Sequence, residues 1–142
     1  FDDQVNTVTW SPRGDWLARR ARFPDRFLVA AAGERVVGVC YGWPFGEERP
    51  DQAGKTLLSG VAVDDAWTRR GIGSRLLRRF EAAAARTDSP VVTLGSAEGY
   101  AERFYLANGY APVGFLARLP AGARPDPALL SAHGVAHARA EG

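Results

Sequence analysis

The chain has 142 residues, of which 46% are hydrophobic, and its formal net charge is +2. This length and apolar content exclude a mainly disordered chain and predict one domain, residues 1–142, with a buried core. The arginines are interspersed with acidic residues and form no basic motif, so we expect no nucleic-acid partner. The sequence lacks both a signal peptide and a run of about 18 apolar residues, which predicts a cytoplasmic protein with no membrane partner. Because residue 1 is phenylalanine, we expect a processed or truncated amino terminus.

The first part of the chain predicts a helix and an antiparallel pair of strands. Serine as N-cap and proline in the first turn favour a helix start, and a later proline ends the helix. A glycine-containing turn between two apolar runs favours a hairpin. The elements are a helix from Ser11-Pro12 to a stop at Pro24, strands at Phe27–Ala32 and Val36–Trp43, and a polar loop at 44–54.

The most informative stretch is Val61–Leu77, where an apolar strand turns through two glycines, Gly71 and Gly73, into a helix. A strand that ends in a glycine turn at a helix start leaves backbone N–H groups unpaired, and the helix dipole adds positive potential there. A Cβ at either glycine would stand between the backbone and a pyrophosphate, whereas Arg69 and Arg70 can add charge-assisted contacts. The stretch therefore predicts an anion site for a nucleotide-like cofactor.

Other interpretations of the glycine turn remain. Gly-x-Gly also occurs where a strand and a helix simply pack closely. A dinucleotide-binding fingerprint would require a third glycine where this chain has Leu76, and the Gly-Lys-Ser/Thr ending of a Walker A loop is missing.

The remaining elements continue the α/β order. Apolar residues at spacings of three and four predict the helix that follows the glycines, and Pro90 precedes a new apolar strand. A glycine at position 109 is expected as the left-handed cap of a second helix. The predicted elements are a strand at Thr56–Val63, a helix carrying Ile72, Leu76, Leu77, Phe80, Ala83 and Ala84, a strand at Val91–Leu94, a helix at Glu98–Asn108, a strand at Tyr110–Leu119, a connection at Pro120–Pro127, a helical turn at Ala128–Ser131 and a last edge strand at Val135–Ala140.

Cysteine and histidine suggest no metal site and no thiol nucleophile. The single cysteine, Cys40, lies in an apolar run without a nearby histidine, which favours a buried structural thiol over a nucleophile. His133 and His137 are four residues apart but lack the glutamate of a zincin motif, so surface histidines are favoured over a metal pair.

Two motifs together resemble the Gcn5-related N-acetyltransferase (GNAT) family, over roughly Phe27–Leu119. Thr68-Arg69-Arg70-Gly71-Ile72-Gly73 is similar to the family's Gln/Arg-x-x-Gly-x-Gly/Ala acetyl-CoA motif, with Thr68 in place of Gln or Arg. Ala101–Tyr110 is similar to the family's A-x-x-F-Y-x-x-x-G-F segment. The resemblance implies a mixed, mostly antiparallel central sheet with helices on both faces.

The resemblance also implies the site. Its acetyl-CoA-binding residues would be Val61, Ala62, Val63, Thr68, Arg69, Arg70, Gly71, Ile72, Gly73 and Ser74. The strand ending at Val63 would splay from the strand at Val91, so that the pantetheine arm lies between them and a backbone N–H near Val61–Val63 stabilises the oxyanion. Tyr105 would protonate the departing CoA thiolate, a core tyrosine being the alternative.

The general base is not transferred by the resemblance. Glu98 stands where many members have a cofactor-contacting asparagine, and Thr93 stands where some carry a catalytic glutamate. Glu98, Glu47 and Glu48 are candidates by residue type, although solvated surface carboxylates are the simpler interpretation of each. The loop at 44–54 is either part of an acceptor pocket or a solvated connection.

The sequence thus predicts an enzyme that moves an acetyl group from acetyl-CoA to the primary amine of an unidentified small-molecule or peptide acceptor, without a metal. The alternative is a non-catalytic acyl-CoA-binding or sensing module. The oligomeric state is open, with a homodimer as one option.

Overall fold

The computed structural model describes residues 13–96, 100–115 and 135–139 of the chain. Three α-helices and six strands are present in these ranges, together with short 3₁₀ turns. The helices are α1 (Arg13–Arg22), α2 (Ile72–Ala85) and α3 (Tyr100–Ala107); the strands are β1 (Phe27–Ala32), β2 (Arg35–Pro44), β3 (Lys55–Val63), β4 (Val91–Ser96), β5 (Ala111–Phe115) and β6 (Val135–Arg139). Each corresponds to an element expected from the sequence, within a few residues at the ends. The predicted helix start at Ser11-Pro12 and the elements at 120–131 lie outside the described residues.

The six strands form one sheet in the order β1-β2-β3-β4-β6-β5. Only β3 and β4 are parallel, and every other neighbouring pair is antiparallel. The sheet is therefore mixed and mostly antiparallel, as predicted.

The expectation that Val135–Ala140 forms an edge strand is wrong. β6 pairs with β4 on one side and with β5 on the other, so the last described strand is inserted into the sheet and β5 forms the edge. A short run of alternating residues carries no sequence signal for whether one or both of its sides are paired, because pairing depends on partners distant in the chain.

Helices cover both faces of the sheet. Neighbouring residues of a strand point to opposite faces, and Cys40 and Tyr41 of β2 show which helix lies on each. Cys40 belongs to the buried cluster formed with Leu76 and Phe80 of α2. The Tyr41 ring instead contacts Trp16 of α1, with ring centroids 5.5 Å apart.

The α2 face holds the main core. Its buried cluster consists of Cys40, Leu58, Leu76, Leu77, Phe80, Ala84, Val92, Leu94 and Tyr110. The spacing of the α2 members confirms the helical periodicity of the sequence. Within the described part of the chain, no helix is long and apolar enough to cross a membrane.

Candidate functional site

The parallel strands β3 and β4 separate along their length. Their paired residues run from Lys55 opposite Val91 to Leu57 opposite Thr93, and no further pair follows. Beyond that point β3 continues to Val63, while β4 continues alongside β6 on its other side. In the described residues the later half of β3 therefore borders a gap in the sheet.

A β-bulge in β3 determines which backbone groups face this gap. Tyr41 pairs with Gly60 and Gly42 with Leu58, so Ser59 is the extra residue. After the bulge, the N–H of Asp64 donates to the Val37 carbonyl of β2 at 2.8 Å. Alternate residues of a strand direct their N–H groups to opposite sides, so the N–H groups of Val61 and Val63 point away from β2 and toward the gap.

A tight turn follows β3. Asp64 caps the single helical turn at Asp65–Trp67 by accepting a hydrogen bond from the Ala66 N–H at 2.9 Å, and it also accepts one from Arg35 at 2.9 Å. The backbone bond and the arginine together lower the pKa of the Asp64 carboxyl. The Thr68 hydroxyl donates to the Asp65 carbonyl at 3.0 Å, so this side chain serves the turn.

The start of α2 has the backbone of an anion site. Arg69 and Gly71 both have left-handed φ angles, of 63° and 79°. Gly71 is the N-cap and no side chain caps the first turn, so its N–H groups, from Ile72 to Ser74, lack a capping partner among the described side chains. Successive N–H groups in alternating left- and right-handed conformations form an anion-binding concavity. Residues 69–74 are called the cradle below.

Two arginines form the start of the cradle. Arg69 and Arg70 are both exposed. The Arg70 guanidinium lies over the ring of Trp67, 4.5 Å from its centroid. The sequence does not single out Trp67, because an aromatic residue in a turn belongs to no periodic pattern that would reveal its contact with Arg70.

The two glycines of the cradle have different geometric roles. An added Cβ at Gly71 would meet nothing within 4 Å, so that position borders open space. An added Cβ at Gly73 would lie 3.3 Å from two carbons of the Phe104 ring and 3.7 Å from Val63. The absent side chain at Gly73 therefore makes room for Phe104 of α3, and the effect of a Cβ there on a pyrophosphate stays a prediction.

Tyr105 follows Phe104 and packs against the buried cluster on the α2 face. Its ring contacts Phe104 edge-on, with centroids 5.2 Å apart. Burial, with a smaller effect from Cys40, raises the pKa of the Tyr105 hydroxyl above its ordinary value. The hydroxyl is therefore protonated at neutral pH but is a weaker acid than an exposed phenol.

Cys40 is completely buried, and its burial raises the pKa of the thiol. A buried thiol with a raised pKa is a poor nucleophile, which supports the structural interpretation of Cys40. No cluster of residues able to hold a metal ion occurs in the parts of the chain that the structure describes.

The loop at 44–54 lies at the opposite end of β3 from the cradle. It connects the ends of β2 and β3 where Pro44 pairs with Thr56, whereas the cradle follows Val63 at the other end of β3. β3 has nine residues, so at a rise of about 3.3 Å per residue its two ends are roughly 25 Å apart. The loop is thus separate from the cradle, and its interpretation as part of an acceptor pocket stays a prediction.

Glu47 and Glu48, two residues of this loop, form ion pairs with arginines of α1. Glu47 accepts two hydrogen bonds from Arg22, each 2.8 Å long, and Glu48 accepts one of 2.5 Å from the Trp43 indole. Glu48 also pairs with Arg19 at 3.1 Å. Both carboxylates therefore fix the loop to α1, and a role of either as the base stays a prediction.

The structure gives less information on the four remaining sequence candidates. Thr93 is buried and is the last residue of β4 paired with β3. Glu98 and His133 lie outside the described residues. His137 lies in β6, where its register partner in β4 is Leu94.

Comparison with known proteins identifies the same architecture. The family model described as "Acetyltransferase (GNAT) domain" matches residues 24–112, more than half of the chain. No curated protein matches the chain by sequence.

Solved structures agree with this match. Ard1 from Thermoplasma volcanium is 21% identical with a TM-score of 0.69, covering 96% of this chain and 84% of its own. The GphF GNAT-like decarboxylase in complex with isobutyryl-CoA is 21% identical with a TM-score of 0.66, and the match covers 93% of this chain and 86% of the decarboxylase chain. The ribosomal-protein-alanine N-acetyltransferase from Brucella melitensis is 25% identical with a TM-score of 0.64, covering 89% and 75%.

Proposed function

Since the chain belongs to the GNAT acetyltransferase family, we propose that it transfers an acetyl group from acetyl-CoA to the primary amine of an acceptor. The observation that carries the proposal is the separation of β3 from β4 directly before an uncapped helix start. The gap offers backbone donors to an extended arm, and the helix start offers donors to an anion. Acetyl-CoA combines both chemical groups in one molecule.

The cradle would hold the pyrophosphate. The N–H groups of Ile72, Gly73 and Ser74 are its donors, assisted by the positive end of the helix dipole. Arg69 and Arg70 add positive charge beside them. Thr68 contributes through the turn that it stabilises, because its hydroxyl is already bonded to Asp65.

The later half of β3 would hold the pantetheine arm and the thioester. The backbone at Val61, Ala62 and Val63 runs along the gap, and the N–H groups of Val61 and Val63 face it. A donor placed at the thioester oxygen stabilises the negative charge that develops there during attack.

The transfer requires two proton movements. The acceptor nitrogen bonds to the acetyl carbon and loses a proton as the amide forms, while the carbon–sulfur bond breaks and the CoA thiolate gains a proton. Tyr105 is the proposed donor to the thiolate, because it occupies the position of the tyrosine that has this role in the family and its hydroxyl is protonated at neutral pH. Glu47 and Glu48 both form ion pairs with α1, and the general base stays unassigned.

A non-catalytic acyl-CoA-binding module is the second candidate. It is favoured by Thr93, which stands where some family members carry a catalytic glutamate, and by the pairing of the two loop carboxylates with Arg22 and Trp43. Such a module would keep the cradle and the β3 backbone but would not turn over.

Release of free CoA thiol from acetyl-CoA separates the two candidates. The assay compares a panel of small amines, aminoglycosides, amino acids and peptides with free N-termini against acetyl-CoA alone. The similarity to the ribosomal-protein-alanine N-acetyltransferase makes peptide N-termini the first arm. We expect amine-dependent release. Binding of acetyl-CoA without release with any amine would favour the module, and absence of binding would contradict both candidates.

A further inference from the structure

Arg78 of α2 binds the carboxyl end of α3. One guanidinium nitrogen donates both to the backbone carbonyl of Asn108, at 2.7 Å, and to the Asn108 side-chain oxygen, at 2.8 Å. The other terminal nitrogen donates to Glu81 at 2.6 Å. Glu81 in turn accepts a hydrogen bond from the Tyr110 hydroxyl at 2.8 Å, so two residues of α2 hold both sides of the Gly109 turn.

Asn108 is in turn hydrogen-bonded to the backbone carbonyls of Phe104 and Tyr105. The Asn108 N–H lies 3.1 Å from the Tyr105 carbonyl and 3.2 Å from the Phe104 carbonyl, and its side-chain nitrogen donates to the Phe104 carbonyl at 2.8 Å. The Tyr110 N–H donates to the Tyr105 carbonyl at 3.0 Å. The backbone of Tyr105 is thus fixed by residues that α2 holds.

The same helix carries the cradle at its other end. Gly73, in the first turn of α2, lies against the Phe104 ring, and Arg78 lies between one and two turns further along. α2 therefore contacts α3 at both points that flank Tyr105. This arrangement relates the anion site and the Tyr105 side chain through one rigid element.

We propose that Arg78 is a positioning residue that holds Tyr105 at the reacting end of the bound thioester. The inference rests on the proposed function, because it assumes the role of Tyr105 as proton donor. The planar guanidinium suits the task, since it bonds a carbonyl, an amide oxygen and a carboxylate at once, which the single ammonium of lysine does not reproduce.

The test measures the acetyl-transfer step in single-turnover experiments with the full chain and an active amine. Arg78→Lys and Arg78→Ala should slow this step by roughly 10- to 100-fold, the size of effect that a misplacement of about 1 Å produces. Acetyl-CoA affinity should stay within about twofold, because the cradle N–H groups are retained. Arg79→Ala is the matched control, since Arg79 is an exposed neighbour on the same helix, and it should leave the rate unchanged.

Two further measurements distinguish positioning from a purely structural role. Added methylguanidinium should restore part of the rate of Arg78→Ala without changing its melting temperature. In a Tyr105→Phe background, Arg78→Lys should cause little further loss, because the hydroxyl that it positions is gone. If Arg78→Ala does not fold, Arg78→Lys carries both the rate and the double-mutant measurements.

Equal transfer rates in the parent and both Arg78 variants would overturn the inference, as would rate losses that simply multiply in the double variant. A parent chain that releases no CoA thiol with any amine would instead overturn the proposed function, and this assignment with it. A parent that turns over beside unaffected Arg78 variants rejects the Arg78 assignment alone.

Discussion

Gly73 and Phe104 are in contact at the start of α2, where a Cβ on the glycine would lie 3.3 Å from two carbons of the ring. This contact joins the helix that begins the cradle to the helix that carries Tyr105. The absence of a side chain at Gly73 thus serves helix packing, while the open space lies at Gly71.

A larger residue at Gly73 should destabilise the fold through Phe104. Gly73→Val should lower the free energy of unfolding by about 1–3 kcal/mol, because the added methyl groups must displace the ring. Urea denaturation measures the change. Phe104→Leu in the same chain should recover part of the loss, and a Gly73→Val chain as stable as the parent would refute the packing role.

Arg69 allows stability and ligand affinity to be separated. Its left-handed φ of 63° is unfavourable for any residue with a Cβ, so Arg69→Gly should not lower stability and should raise it by up to about 1 kcal/mol. Acetyl-CoA affinity should fall, and the loss should shrink at high salt because the arginine is exposed. Calorimetry at two salt concentrations checks this; unchanged affinity at low salt would remove Arg69 from the site.

Removal of the Tyr105 hydroxyl should affect chemistry more than folding. Tyr105→Phe keeps the ring that packs on the core, so melting temperature and acetyl-CoA affinity should change little. Loss of a positioned general acid typically slows the reaction by about 10²- to 10⁴-fold. Single-turnover kinetics measure the chemical step directly, and a variant as fast as the parent would show that Tyr105 only packs.

The buried thiol of Cys40 should make stability decline at alkaline pH. Burial raises the pKa of the Cys40 thiol in the folded chain, whereas its ordinary value, about 8.5, applies in the unfolded chain. Above about pH 8.5 the folded state then binds more protons than the unfolded state. The contribution of the buried thiol to the free energy of unfolding is therefore complete below about pH 8.5 and is lost as the pH rises above it. Tyr105 adds the same effect from about pH 10.

Cys40→Ala should therefore flatten the decline between pH 8.5 and about pH 10, although it lowers stability at pH 7 by creating a small cavity. Denaturation at three pH values compares the slopes. Identical slopes in parent and variant would mean that the thiol does not contribute.

The sequence predicts the elements of this fold better than their arrangement. The α2 spacing and the Gly109 cap, with its left-handed φ of 91°, follow from local rules, and both are confirmed. The insertion of β6 between β4 and β5 depends on contacts between distant segments, which local pattern does not encode.

The candidate site shows the same limit. The glycine turn and the Phe104-Tyr105 pair are visible in the sequence, and their spacing is enough to suggest the family. The partner of Gly73, the bulge at Ser59 and the contact of Glu47 with Arg22 are properties of three-dimensional packing. The Arg78 contact with Asn108 is likewise hidden, because it links residues thirty positions apart.

Amide hydrogen exchange at Val61 and Val63 tests the central claim most directly. Both N–H groups face the gap between β3 and β4, where the account places the pantetheine arm and the thioester. We expect rapid exchange in the free protein and marked slowing with saturating acetyl-CoA, while the N–H of Ala62, directed toward β2, changes little. Unchanged exchange at Val61 and Val63 in a chain shown by calorimetry to be saturated with acetyl-CoA would contradict the account.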